Sequence, residues 1–120
     1  MLPNIGINNP QTVAQAYRIM WLYVLFDLPT NTKRERGHAA RFRKMLLKDG
    51  FSMLQYSVYI RHCPSKENAL VHIRRVETGV PKKGYVSILT VTDKQFSQMM
   101  NFSGKESKPP PKKPLQMELF

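Results

Sequence analysis

The fold is decided by the stretch WLYVLFD at residues 21–27, a charge-free run of strand-forming residues that ends in a carboxylate. Before Asp27 its only polar side chain is Tyr23, and a strand without polar alternation is typical of one buried on both faces. Leu28-Pro29 then ends the strand, because the residue before proline stays extended and proline cannot donate to a sheet. The sequence therefore predicts a central strand at about residues 18–27, with Asp27 at its carboxyl end.

The composition indicates a basic, single-domain protein. Its 120 residues include 19 Lys and Arg against 8 Asp and Glu, and the resulting net charge of +11 favours nucleic acid as a partner above a membrane. No apolar run approaches the roughly 20 residues that span a bilayer, and no secretion signal is recognisable. Cys63 is the single cysteine, which excludes a disulfide framework within the chain. We therefore expect a cytoplasmic protein.

A basic helix is predicted after the first strand. Thr32 and Glu35 have the spacing of a capping box, and Gly50 is a typical left-handed stop for a helix that runs to Asp49. At about 100° per residue, the apolar side chains share an arc that faces the sheet, and a cationic arc lies opposite. The cationic arc contains Arg34, Arg41, Lys44 and Lys48. The arginines within the apolar half either snorkel at the sheet edge or point into a cleft, and they are Arg36 and Arg43.

Residues 51–61 are predicted to form one strand with clear alternation. The face expected to pack on the helices carries Leu54, Tyr56, Val58 and Ile60. The opposite, semi-polar face carries Gln55, Ser57, Tyr59 and Arg61. A face of this composition suits an interface or a binding surface.

A second helix is predicted from Ser65, a typical capping residue, to a stop at Gly79. Arg74 and Arg75 are expected to face outward, and His72 is interpreted as a surface or packing residue. No spacing of histidines and cysteine suggests a zinc site.

A basic turn with Lys82 and Lys83 precedes a strand of β-branched and apolar residues at Tyr85–Thr92. Residues 93–102 are expected to form a short helix or a turn. Together these elements complete the folded part of the chain.

The chain is predicted to divide into four parts. A flexible leader occupies residues 1–18, and the folded domain occupies residues 19–102. Residues 103–114 form a linker rich in proline and lysine. Residues 115–120 alternate in polarity and are expected to add a strand to the sheet edge of a partner, a frayed tail being the alternative. The side chains expected to bind that partner are Leu115, Met117 and Leu119.

The order of strands and helices predicts an α+β architecture, an open ferredoxin-like sheet with helices on one face. The other face of the apolar first strand would then lack a cover. A second copy of the chain is the simplest cover, so we expect a homodimer.

Five segments of the sequence resemble a known family. They are YVLFDLP at 23–29, RER at 34–36, LLKDGF at 46–51, LQYSVY at 54–59 and ILTVTD at 88–93. In order and spacing they resemble the CRISPR-associated protein Two family, the small adaptation subunit that accompanies the CRISPR integrase, and most closely its type II form. The resemblance implies a βαββαβ fold in which residues 51–61 form two strands. It also implies a two-fold dimer that bridges integrase subunits and holds duplex prespacer DNA.

Asp27 is the candidate catalytic and metal-binding residue. A hard cation such as Mg²⁺ prefers carboxylate oxygen, and a water that it keeps can be activated toward a phosphodiester. A single strand-ending Asp is more often a turn or cap residue, but two-fold symmetry could bring two Asp27 carboxylates together, where a metal would offset their repulsion. The resemblance implies the ligand role, since some family members are described as metal-dependent nucleases.

The sequence departs from the family pattern at one position. Arg34 and Arg36 match family arginines, and Tyr59 stands where the family often has an aromatic residue. Some members carry an arginine two positions before the Gln-Tyr-Ser segment, and this chain has Met53 there. The departure counts against an autonomous nuclease.

Two functions of different classes are consistent with these residues. The first is a scaffold of CRISPR adaptation that binds duplex DNA through its phosphates, and the second is a stand-alone metal-dependent endonuclease that acts on RNA or DNA. Generic RNA binding is a weaker third, because the sheet face that it would use is needed for burial. The candidate nucleic-acid-binding residues are Arg34, Arg36, Arg41, Arg43, Lys44, Lys48, Arg61, Arg74, Arg75, Lys82 and Lys83.

Overall fold

A computed structural model describes residues 19–112, so the predicted leader and the predicted C-terminal strand lie outside the described part. The elements are β1 (Met20–Asp27), α1 (Lys33–Lys48), β2 (Ser52–Gln55), β3 (Val58–Cys63), α2 (Lys66–Gly79), β4 (Tyr85–Thr92), α3 (Asp93–Ser97), β5 (Asn101–Ser103) and β6 (Glu106–Lys108). The first four strands form one antiparallel sheet in the order β2-β3-β1-β4. The predicted α+β, ferredoxin-like βαββαβ fold and the central place of β1 are thereby confirmed.

The ends of α1 are set by its own sequence. Thr32 Oγ1 accepts a hydrogen bond from the Glu35 amide, and Glu35 Oε1 accepts one from the Thr32 amide, which is the predicted capping box. At the other end Asp49 is the cap and Gly50 has a φ of +91°, the left-handed conformation that glycine adopts without steric cost. The predicted start and stop of this helix are both confirmed.

The second helix ends at Gly79 as predicted, because the cap Val80 has the extended backbone expected of a residue before proline. Ser65 Oγ accepts from the Asn68 amide and begins the helix as expected. Gly79 does not have a positive φ, but a Cβ placed on it would lie 2.6 Å from Cε of Met45 on α1. The end of the Met45 side chain thus occupies the space that a larger residue at position 79 would need. Among the described residues, no helix has the length and apolar character needed to cross a membrane.

The main core lies between the sheet and the two long helices. Every second side chain of β1 points into it, as the period of a strand requires. Phe42 and Leu46 of α1 and Val76 of α2 pack against these side chains and are almost fully buried. The β1 residues of this core are Leu22, Val24 and Phe26.

The other face of β1 is partly covered by α3 of the same chain. The Phe96 ring stacks on Trp21 with 3.6 Å between ring centroids and 2° between planes, and Tyr23 donates its hydroxyl hydrogen to Sδ of Met99 at 3.0 Å. At this end of the strand the cover is therefore provided by the same chain, whereas a second copy was expected to be the simplest cover. Leu25, at the other end, remains 38% exposed.

Two predicted segments differ in the structure. Residues 51–61 are not one strand, because a turn at Tyr56-Ser57 and a register shift between Met53 and Gln55 separate β2 from β3. This is the division that the family resemblance implied. The start of the predicted linker is also a hairpin, in which β5 pairs with β6 around Gly104, whose φ is +63°.

Candidate functional site

Asp27 is the last residue of β1 and pairs with Tyr85 at the start of β4. Its side chain is exposed and lies on the sheet face of Trp21, Tyr23 and Leu25, because alternate residues of a strand share a face. Within residues 19–112 the carboxylate has no hydrogen bond or ion pair. The same part of the chain contains no group of three or more His, Cys, Asp or Glu side chains that could hold a metal ion. Among the described residues, Asp27 is therefore an exposed carboxylate that has no partner and is not part of a three-ligand group.

The turn before β4 is held against the end of β1. Gly84 has a φ of +101°, and a Cβ placed on it would lie 2.8 Å from the carbonyl oxygen of Asp27 and 2.8 Å from Cδ2 of Leu28. Only glycine fits this conformation and this contact together. The packing fixes the adjacent Lys82 and Lys83 at the same end of the sheet as Asp27.

Most of the predicted nucleic-acid-binding residues are exposed cations without an acceptor in the described part of the chain. This set, called here the unpaired cations, consists of Arg34, Arg41, Lys44, Lys48, Arg74, Lys82 and Lys83. Four of them lie along α1, on the side away from the core. Within residues 19–112, no contact competes with phosphate for their N–H donors.

Two arginines of α1 are already engaged within the chain. Arg36 donates from Nη1 to the carbonyl oxygens of Thr30 and Asn31, at 3.1 and 3.4 Å, and so supports the loop that enters α1. The guanidinium carbon of Arg43 lies 4.3 Å from the centroid of the Tyr56 ring and 5.5 Å from that of Phe26. Of the two predicted orientations, snorkelling at the sheet edge or pointing into a cleft, Arg43 has the second, because its Nε is buried.

The predicted binding face of β3 is wrong. Tyr59 is only 3% exposed and belongs to the core beneath the helices, whereas Ile60 packs with Trp21 on the opposite face. The alternation along β3 was assigned correctly, but the face predicted to pack on the helices is the opposite one. Both faces of β3 contain buried residues, so the pattern alone does not show which face meets the helices. Arg61 is consequently part-buried, and it donates from Nε to the carbonyl oxygen of Asp49 at 2.9 Å and from Nη1 to that of His62 at 2.8 Å.

A partly buried ionic cluster joins the end of α1 to β3 and α2. Asp49 Oδ2 lies 2.7 Å from Nδ1 of His72, and Oδ1 accepts from Nη1 of Arg75 at 2.8 Å. Burial alone would raise the pKa of Asp49, but the hydrogen bonds and charges of His72 and Arg75 outweigh it and lower that pKa. These groups, with Arg61 on the carbonyl of Asp49, form what we call the Asp49 cluster. Arg61 and Arg75 thus have structural partners that their sequence context does not reveal.

Sequence reasoning missed Asp49 and its pairing with His72, although the burial of His72 agrees with its interpretation as a packing residue. His72 is 4% exposed, and its inward position could have been found from its helical spacing of three and four residues to Ala69 and Val76, which are both buried. Its partner could not have been found in this way, because Asp49 is 23 residues distant. The predicted partner-binding residues Leu115, Met117 and Leu119 lie outside the described residues.

Comparisons with known proteins give a consistent result. A family model described as "CRISPR associated protein Cas2" matches residues 20–99. A Flavobacterium psychrophilum protein is 50% identical over 87% of this chain and 90% of its own length, and a Parvibaculum lavamentivorans protein is 52% identical over 84% of this chain and all of its own length. A Paracidovorax avenae protein is 45% identical over 87% of this chain and 96% of its own length. Each of the three is named "CRISPR-associated endoribonuclease Cas2".

Proposed function

Because the chain belongs to the CRISPR-associated protein Cas2 family, we propose that it serves in CRISPR adaptation as a homodimer that binds duplex prespacer DNA and bridges subunits of the CRISPR integrase. We place this activity in the cytoplasm, where the nucleic acids of the reaction are found. Family membership agrees with the resemblance drawn from the sequence motifs. The duplex, the integrase and the second copy are the proposed partners.

The observation that carries the proposal is the set of unpaired cations. They are exposed, and the ion pairs of residues 19–112 all converge on Asp49 instead. Seven cations held in the folded state without a carboxylate repel one another, and a polyanion removes that repulsion. None of the segments that present them is a base-reading motif, so the binding is expected to depend on phosphate and little on sequence.

The test is a titration of labelled duplex DNA with the full chain. We expect affinity that changes little with base sequence and falls linearly, in logarithmic terms, with the logarithm of salt concentration. Asp27→Ala should retain this affinity, because the Asp27 carboxylate repels phosphate and has no hydrogen bond or ion pair to another described residue. Loss of duplex binding in a folded Asp27→Ala protein would count against the scaffold function.

The homodimer is supported by the uncovered part of the second sheet face. Leu25 and Leu89 are 38% and 52% exposed, and both lie beyond the area that α3 covers. Because an apolar patch on a sheet is unfavourable in water, Leu89→Asp should favour the monomer in size-exclusion chromatography with light scattering. Leu70→Asp, at a comparably exposed leucine of α2, is the matched control and should leave the dimer intact. A monomeric wild-type protein would contradict this part of the proposal.

A metal-dependent endonuclease is the second candidate, and two observations favour it. The related proteins are named as endoribonucleases, and Asp27 is an exposed carboxylate without an intramolecular partner among the described residues. Bound between carboxylates, Mg²⁺ would supply an activated water and charge stabilisation for phosphodiester hydrolysis. One Asp27 is too few ligands for such a site, so the proposal requires the second Asp27 of the dimer. Asp27 would hold the ion, and the unpaired cations would hold the phosphates.

Nuclease activity is tested separately on labelled single-stranded RNA and duplex DNA. Cleavage that requires Mg²⁺ and disappears in Asp27→Ala would support the second candidate. Asp93→Ala is a suitable control, because Asp93 directly follows β4 as the first residue of α3 and accepts a hydrogen bond from the Trp21 indole. Cleavage that persists in Asp27→Ala would exclude this residue as the catalytic metal ligand.

A further inference from the structure

An exposed apolar patch lies where α1 packs beside β2, at one edge of the sheet. Leu47 of α1, Met53 of β2 and Tyr56 of the following turn are 53%, 58% and 71% exposed. Met53 pairs with Tyr59, which is buried beneath the helices, and directly opposite residues of neighbouring strands share a face. Met53 therefore lies on the side of the sheet that carries α1. We call Leu47, Met53 and Tyr56 the β2-edge patch.

Arg43 adds a positive charge to the patch. It lies one helical turn before Leu47, and its guanidinium carbon is 4.3 Å from the centroid of the Tyr56 ring. Its Nε is buried without a hydrogen-bond partner, and the guanidinium makes no ion pair within residues 19–112. A partly buried cation without an acceptor is unfavourable, so a carboxylate brought by a ligand would stabilise the patch.

The backbone of β2 is open on the side away from β3. In the order β2-β3-β1-β4, β2 pairs with β3 alone among the described strands. An edge strand directs N–H and C=O groups outward, and β2 contains no charged residue or proline that would discourage pairing. Its length of four residues and the register shift before Gln55 limit such pairing to a short segment. Side-chain contacts with the patch must therefore supply most of the affinity of a ligand.

The open strand edge, the apolar side chains and the guanidinium together fit an extended protein segment. Such a segment adds a short strand to β2, places apolar side chains on Leu47 and Met53, and presents a carboxylate to Arg43. Duplex DNA fits the patch poorly, because its bases are stacked inside and it has no peptide groups to pair with β2. The ligand class is therefore a protein.

The proposed function indicates which protein supplies the segment, and the inference rests on that function. A bridge between integrase subunits requires two equivalent docking surfaces, one on each protomer of the two-fold dimer. The proposed dimer buries Leu25 and Leu89, which lie on the opposite face of the sheet, so both copies of the patch stay accessible. We propose that the β2-edge patch docks an extended segment of the integrase subunit in which apolar side chains alternate with polar ones and include a carboxylate.

The test measures binding of the purified integrase subunit to the full chain by isothermal titration calorimetry. Leu47→Asp/Met53→Asp should weaken this binding at least about tenfold, because association would bury two charges without partners. Leu70→Asp/Val71→Asp on α2 is the matched control, since these side chains are also exposed, and it should bind as wild type does. Undiminished binding by the first double variant, or equal losses in both, would overturn the assignment of this surface. A wild-type chain that does not bind the integrase would overturn the bridging function as well.

Hydrogen exchange in the wild-type chain tests the strand pairing without a substitution. Exchange of the β2 amides should slow when the integrase is added, and it should be unchanged when residues 115–120 are deleted. Faster exchange of these amides after that deletion would assign the patch to the C-terminal segment of this chain and overturn the proposal. No slowing on addition of a bound integrase would overturn it too.

The remaining measurements separate the integrase from DNA and from a second copy. Because Leu47 and Met53 are exposed, Leu47→Asp/Met53→Asp should keep the circular dichroism spectrum, the dimer and the duplex affinity of wild type. Loss of the dimer or of duplex affinity with integrase binding retained would overturn the proposal. Arg43→Lys should bind the integrase more tightly than Arg43→Gln, since only lysine keeps a charge for the carboxylate. Equal affinities of these two variants would remove the carboxylate from the proposed ligand.

Discussion

The unpaired cations and the Asp49 cluster both contain arginine, but the arginines of the first set are free to bind a ligand and those of the second hold the fold together. On α1, Arg34 and Arg41 are exposed and have no acceptor within the described chain. In the Asp49 cluster, Arg61 and Arg75 donate to one residue, the first to its carbonyl and the second to its carboxylate. The net charge of +11 therefore includes cations with two different roles. Part of the positive charge holds the end of α1 to β3 and α2, and the rest is available for a ligand.

The difference shows what makes a cation structural. A buried carboxylate is stable only when its hydrogen bonds are satisfied, so Asp49, with a side chain 10% exposed, fixes its partners in place. No such residue pairs with the cations on the outer side of α1 within the described chain, where water and phosphate are the available acceptors. Removing members of the Asp49 cluster should therefore change stability, and removing unpaired cations should change binding.

The largest effect is expected from Asp49→Ala. The substitution leaves the buried His72 without its acceptor and Arg75 without its ion-pair partner, so we expect a loss of about 2–4 kcal/mol in the free energy of unfolding. Urea denaturation followed by circular dichroism measures it. Asp27→Ala removes the same group from an exposed site and should change stability by less than about 0.5 kcal/mol. Equal effects of the two substitutions would mean that the cluster does not stabilise the fold.

The next effect concerns duplex binding and should separate the two regions directly. Arg34→Ala/Arg41→Ala should weaken binding and lower the salt dependence by about 0.9 in log K per log salt for each phosphate that the variant no longer binds. Arg74→Ala should act in the same direction if the duplex reaches α2. Arg75→Ala removes an equal charge from a neighbouring position but one already paired with Asp49, so its salt dependence should stay closer to wild type. A salt dependence that fell equally for both arginines of α2 would contradict the distinction between paired and unpaired cations.

The part of the fold that the sequence predicts is the part with local causes. The β1 stop at Pro29 and the caps of α1 at Thr32 and Gly50 depend on neighbours within a few residues, and they are as expected. The cover of Trp21 by Phe96 was not expected, since it joins residues far apart in the sequence. Because both faces of β1 are apolar, the sequence does not show which face meets the long helices and which meets α3.

The candidate site shows the same limit. Asp27 could be identified from the sequence, because the apolar strand before it and Pro29 after it fix its position at the end of β1. The engagement of Arg61 and Arg75 could not be predicted, because nothing in the spacing of basic residues says which ones meet a distant carboxylate. Charge patterns therefore predict a binding face only after the intramolecular acceptors have been assigned.

Acid should weaken the Asp49 cluster before it affects binding by the unpaired cations. The pKa of Asp49 is lowered in the folded state from its ordinary value of 3.8, so its contribution to stability is complete above that value and is lost as the pH falls through the lower folded pKa. Urea midpoints measured between about pH 5 and pH 3 should fall more steeply for wild type than for Asp49→Ala. Parallel pH profiles would show that this carboxylate does not carry the dependence.

The smallest effect is a comparison of adjacent arginines on α2. Arg75 donates to Asp49 at 2.8 Å but its side chain is 60% exposed, and such pairs contribute little because water competes for both partners. We expect Arg75→Ala to lower the free energy of unfolding by about 0.5–1 kcal/mol, the upper limit applying because Asp49 itself is nearly buried. Arg74→Ala is the matched control, since its guanidinium has no acceptor in the described chain, and it should change stability by less than about 0.3 kcal/mol. If Arg74→Ala were the more destabilising of the two, α2 would owe its stability to charge on its outer side, and the division of cations into structural and binding sets would fail at this helix.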